Sequence, residues 1–98
     1  MWARVSTYQF PPTDVEKTVD QFNEALDTFL GQPGLKRAEV FVNRRSGAGI
    51  TITIWESEDA MKASEDDADR LRRHVTLELV GWIESVKEYE LVRSEPSV

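Results

Sequence analysis

The chain has 98 residues, 12 basic against 18 acidic side chains, and a formal net charge of −6. That describes one globular domain with a single core, and it lacks the positive footprint that nucleic acid or an anionic membrane surface would need. The absence of cysteine excludes disulfides, zinc–thiolate sites and thiol catalysis, and a single histidine, His74, excludes a His-rich metal site. No apolar run reaches the roughly 18 residues of a membrane span. MWARVSTYQF at the N-terminus alternates instead of building a signal-peptide core, so the expected location is cytoplasmic.

Residues 3–10 alternate Ala3, Val5 and Thr7 against Arg4, Ser6 and Tyr8, which predicts a strand. Pro11-Pro12 ends it. Thr13 followed by Glu16 has the spacing of a capping box, with Asp14 and Glu16 suited to the positive end of a helix dipole. Val15, Val19, Phe22, Leu26, Phe29 and Leu30 then share one stripe at 3.6 residues per turn, opposite Lys17, Asp20, Glu24 and Asp27. Gly31 and Pro33-Gly34 stop this helix.

Residues 35–43 read as a second strand, with Ala38, Val40 and Val42 opposite Glu39 and Phe41. Residues 44–49, RRSGAG, form a hairpin loop, and ITITIW at 50–55 is the strongest strand of the chain. A helical region follows from Ser57 to about residue 80. Its apolar face begins at Ala60, Met61 and Ala63, breaks at Glu65-Asp66-Asp67, and resumes at Ala68, Leu71, Val75 and Leu79. Ser64 with Asp67 fits a fresh cap, so a short helix, a bend and a longer helix are expected. Gly81 ends the region, residues 82–93 form the last strand, and 94–98 a disordered tail, leaving one domain over 1–93.

Strand, helix, strand, strand, helix, strand is the order of the ferredoxin-like βαββαβ unit. It is an α+β fold with both helices on one face of a four-stranded antiparallel sheet. Ile50, Ile52 and Ile54 occupy one face of the third strand and Thr51, Thr53 and Trp55 the other. Apolar side chains on both faces predict a homodimer packed through the open sheet face.

TITIWESEDA, residues 51–60, ends a strand in Trp-Glu-Ser-Glu before a short acidic helix. This motif and the element order resemble the antibiotic-biosynthesis-monooxygenase-like (ABM) family of dimeric α/β barrels over roughly residues 2–93. The resemblance implies a pocket between sheet and helices and a cofactor-independent monooxygenase acting on a small aromatic or apolar molecule. In the branch that oxidises aromatic polyketides to quinones, the strand tryptophan falls on Trp55. Thr51 and Met61 stand where that branch has asparagine and tyrosine, and its arginine falls near Arg72 or Arg73. In the haem-degrading branch the axial histidine falls on His74 and the pocket phenylalanine on Phe22. Ser64 and Ser6 there replace a tryptophan and an asparagine.

The expected site is therefore a catalytic acid/base at His74, with Phe22, Trp55, Ser6 and Ser64 as pocket candidates. Each also has a packing role: Trp55 suits a strand-end plug, Phe22 a core position, and His74 a surface beside Arg70, Arg73 and Glu78. No metal site is expected. The acidic residues between Glu56 and Asp69 lack the turn glycine and convergent oxygens that calcium requires. Two alternatives stand beside the oxygenase: a haem-binding protein with His74 as axial ligand, and a non-catalytic dimeric ligand-binding module.

Overall fold

The computed structural model describes residues 1–96. Its elements are β1 (Trp2–Gln9), a 3-10 turn (Pro12–Asp14), α1 (Val15–Phe29), β2 (Leu35–Val42), β3 (Ala48–Trp55), α2 (Glu58–Ala63), α3 (Glu65–Leu79) and β4 (Trp82–Glu90). The strands form one antiparallel sheet in the order β2-β3-β1-β4. This is the α+β ferredoxin-like arrangement expected from the periodicity, including the short helix before the longer one. Among the described residues no helix is long and apolar enough to cross a membrane.

Several boundaries move for identifiable reasons. The 3-10 turn after Pro11 shifts the helix cap from Thr13 to Asp14, whose Oδ1 accepts from the Lys17 backbone N–H at 3.2 Å. In the hairpin, Asn43 Oδ1 accepts from the backbone N–H groups of Arg45 and Ser46, and this tight turn lets β3 start at Ala48. β4 stops at Glu90, opposite Trp2, with one further backbone bond from the Leu91 N–H to the Met1 carbonyl at 2.8 Å. The expected tail falls partly on residues 97 and 98, which lie outside the described residues.

Ser64 does not cap α3 with its side chain; its Oγ donates instead to the Met61 carbonyl at 2.7 Å. α3 ends at Val80, which adopts a left-handed conformation at φ 55°, while the Gly81 N–H reaches back to the Thr76 carbonyl. Gly81 meets a packing demand: a Cβ there would lie 2.2 Å from Phe10 Cδ1.

The buried faces of α1 (Thr18, Phe22, Ala25, Phe29) and α3 (Ala68, Arg72, Val75, Leu79) cover one side of the sheet. Two clusters make the core. Tyr8, Phe10, Phe22, Ala25, Val75 and Leu79 form the first, with Tyr8, Phe10 and Phe22 in mutual ring contact at 5.2–5.8 Å. Phe29, Trp55, Met61 and Ala68 form the second, where Phe29 meets Trp55 edge-on at 5.8 Å. Leu71 packs against both.

Candidate functional site

A period of two puts Arg4, Ser6 and Tyr8 of β1 on one sheet face, and the register sets them beside Thr53, Thr51 and Gly49 of β3. That face is the one covered by the helices. Arg4, Ser6 and Tyr8 are accordingly buried, and the sheet presents a row of polar groups where a packed core would carry aliphatic ones. Ile50, Ile52 and Ile54 point the other way, on the uncovered face with Val5 and Phe41.

Between the two core clusters lies a small cavity of about 40 Å³. Its polar lining is Arg4, Ser6, Tyr8, Thr51, Thr53 and Arg72; Phe22, Leu26, Phe29 and Leu71 supply most of the apolar wall. α3 delivers Arg72 because the position falls within its buried stripe, four residues after Ala68 and three before Val75.

The two arginines differ in how they are held. Arg4 donates from Nη2 to the Met61 carbonyl at 2.7 Å and from Nη1 to Ser64 Oγ at 3.2 Å, and its guanidinium lies 5.7 Å from the Trp55 ring centroid. Arg72 has a single acidic neighbour within salt-bridge range among the described residues, Asp69 at 3.9 Å. The Nε of each arginine is buried without a hydrogen-bond partner. Burial, and then the Arg72 charge, lower the Arg4 pKa from its ordinary value. Burial likewise raises the Tyr8 phenol, against the hydrogen bonds of Thr51 and Ser6 and the fields of the two arginines. Tyr8 is therefore a neutral hydrogen-bonding group at neutral pH, with its hydroxyl 3.2 Å from Thr51 Oγ1.

The sequence-expected residues separate into three positions. Phe22 and Ser6 line the cavity. Trp55 and Ser64 stand behind it: Trp55 is wholly buried in the second cluster with its indole N–H donated to Thr53 Oγ1 at 2.9 Å, and Ser64 holds Arg4. His74 is exposed on α3 and borders a separate outer groove between α1 and α3, lined also by Gln21, Glu24, Gln32, Asp67 and Arg70. Phe29 and Leu71 line both spaces and form the wall between them. Arg4, Tyr8 and Thr53 were not singled out from the sequence as site residues. An arginine on an alternating strand reads as its solvent side until the helices are placed.

The described residues contain no group of three or more His, Cys, Asp or Glu side chains able to hold a metal. In sequence, residues 1–75 match the family model described as antibiotic biosynthesis monooxygenase. No curated protein sequence matches the chain. Among solved structures, SnoaB, a cofactor-independent oxygenase from Streptomyces nogalater, superposes with a TM-score of 0.76 at 16% identity, covering 98% of this chain and 97% of that one. A Deinococcus radiodurans protein classed with the antibiotic biosynthesis monooxygenases superposes at 0.79 with 11% identity, covering 100% and 99%. The haem degrader MhuD from Mycobacterium tuberculosis, which holds two haems in its active site, superposes at 0.76 with 16% identity, covering 98% and 100%. At those identities the superpositions establish a shared fold. The match of the family model over three quarters of the sequence goes further: the chain belongs to the antibiotic biosynthesis monooxygenase family.

Proposed function

We propose that this protein is a cofactor-independent monooxygenase for a small hydroxyaromatic molecule, bound in the cavity between sheet and helices. The observation that carries the reading is the make-up of that cavity: aromatic and aliphatic walls, hydroxyl groups, and two guanidiniums with no carboxylate among them. A deprotonated aromatic ring is electron-rich enough to reduce O2 itself. One oxygen atom becomes a new ring carbonyl, and the other leaves as water with the ring C–H and O–H hydrogens, giving a quinone. The chain contributes water exclusion by Phe22, Leu26, Phe29 and Leu71, and positive charge at Arg4 and Arg72 to stabilise the anion. Tyr8 and Thr51 offer hydroxyls to orient it. His74, at the groove beyond Leu71, is placed to take the proton only once it has left the cavity.

The cavity is smaller than the ~150 Å³ that an engineered benzene-binding site provides. Ligand binding therefore requires the lining to open, and Phe29 and Leu71, which also line the outer groove, have space on their far side. Oxygen consumption with a panel of naphthols and anthrone-type hydroxyaromatics tests the reading. Uptake of one O2 per quinone formed supports it; absence of uptake across the panel leaves the ligand-binding module.

The second reading, haem with His74 as axial ligand, has one observation in its favour: His74 borders a groove of about 580 Å³. Its walls include Gln21, Glu24, Gln32, Asp67 and Arg70, and Gln32 Nε2 donates to Asp67 Oδ2 at 3.0 Å between its two sides. Ala25, Phe29 and Leu71 supply apolar surface to the same walls, and His74 is the residue there that would hold the iron.

The assembly we propose is a homodimer through the uncovered sheet face. Ile50, Ile52, Ile54, Val5 and Phe41 lie on that face, flanked on β4 by Trp82 and Tyr89. Phe41, Trp82 and Tyr89 are about half exposed in the single chain, and a second copy would withdraw them from water.

A further inference from the structure

We propose that the cavity selects an aromatic acid, whose anionic group is taken by the Arg72 guanidinium with Arg4 as a second, fixed charge beside it. The inference rests on the reading that this cavity is the ligand site, and it names the class of molecule that site would take.

Two guanidiniums line one small space, and both residues are almost wholly withdrawn from water, Arg4 at 3% and Arg72 at 7% exposure. Buried charges in proteins are normally paired with a counter-charge, since desolvation without one is costly. Here the lining contains no carboxylate. Asp69, the acidic group near Arg72, is 3.9 Å away, beyond hydrogen-bonding range, and is engaged at 3.0 Å by the exposed Arg73. Arg4 is better satisfied, through Met61, Ser64 and the fields of Glu88 and Glu65, and is thereby fixed in place. Arg72 is left with an unpartnered Nε and no hydrogen bond to a carboxylate.

Arg4 has structural partners, but Arg72 adds little to the stability of the empty protein: its charge repels Arg4 in a low-dielectric space, and its acidic neighbour stands off at 3.9 Å. A planar anion reverses the balance, because a guanidinium fork matches a carboxylate in geometry as well as charge. The rest of the lining suits the rest of such a molecule. Phe22, Leu26, Phe29 and Leu71 provide a ring slot, while Ser6, Tyr8, Thr51 and Thr53 provide hydroxyls for a ring substituent.

The test compares acids with their neutral amides on the purified protein, by calorimetric titration at neutral pH: salicylate against salicylamide, and 1-naphthoate against 1-naphthamide. At least one acid is expected to bind tenfold or more tightly than its amide, and the ratio is expected to fall to near one in Arg72→Met. Thermal melting of the unliganded proteins provides the second readout. Arg72→Met is expected to melt at or above the wild-type temperature, whereas an arginine kept for structure would lower it. Acids that bind no better than their amides, including no binding by either, overturn the proposal, as does a preference that survives in Arg72→Met. Oxygen uptake without acid preference removes the acid and keeps the oxygenase. Acid binding without uptake removes the oxygenase and keeps the site.

Discussion

Arg4 and Ser64, 60 residues apart in sequence, meet inside the protein: the guanidinium Nη1 donates to Ser64 Oγ at 3.2 Å, and that hydroxyl donates onward to the Met61 carbonyl at 2.7 Å. The pair ties β1 to the turn between α2 and α3 and sets where the first cavity charge stands. Ser64→Ala removes the acceptor while Arg4 keeps its bond to the Met61 carbonyl. A loss of about 1–3 kcal/mol is expected, the range for a hydrogen bond to a charged group or an orphaned buried donor. Urea unfolding checks it, as a lower midpoint at unchanged slope.

Gly81→Ala should destabilise by overpacking. The added Cβ would lie 2.2 Å from Phe10 Cδ1 and 2.8 Å from the Gln9 carbonyl, and Phe10 is held between Tyr8 and Phe22. The expected cost is on the order of 1–3 kcal/mol. A thermal melt within a degree of wild type would show that the Phe10 ring yields.

Tyr8 makes a prediction in pH. Burial raises its pKa above the ordinary phenol value of 10.0, so between that value and the folded one the native state holds a proton that the unfolded chain has lost. Stability from this group is complete below pH 10 and declines as pH rises through the folded pKa. Spectrophotometric titration should show a tyrosine step above the ordinary phenol range. Tyr8→Phe should abolish the late step and flatten the alkaline decline in stability. Absence of a tyrosine step above that range in the wild type would contradict the burial of the hydroxyl.

The dimer reading predicts that a charge at the centre of the uncovered face dissociates the protein. Ile52 stands between Val5 of β1 and Glu39 of β2 on that face. Sedimentation equilibrium should give twice the chain mass for the wild type and the chain mass for Ile52→Asp, with circular dichroism unchanged. A wild-type monomer would contradict the reading.

The fold was legible because period-two and 3.6-residue patterns are direct consequences of backbone geometry and burial. The site was legible only in part, since a sequence pattern sorts residues onto faces without saying which face the helices cover. Arg4, Ser6 and Tyr8 were correctly grouped, but their burial appears only once α1 and α3 lie over them. Arg72 carried a stronger signal: it interrupts an apolar stripe between Ala68 and Val75, where a solvated arginine has no reason to be. His74, prominent because the chain has no other histidine, lies two residues on, about half a turn around the same helix, on its exposed side. Rarity of a residue type says nothing of its direction.

The measurement that bears most directly on the cavity as the working site is oxygen uptake with 1-hydroxy-2-naphthoate, compared among the wild type, Arg72→Met and His74→Ala. The wild type is predicted to consume oxygen, Arg72→Met to lose at least tenfold in kcat/KM, and His74→Ala to stay within threefold of the wild type. Uptake that survives in Arg72→Met and disappears in His74→Ala would contradict this account and move the chemistry to the groove between α1 and α3.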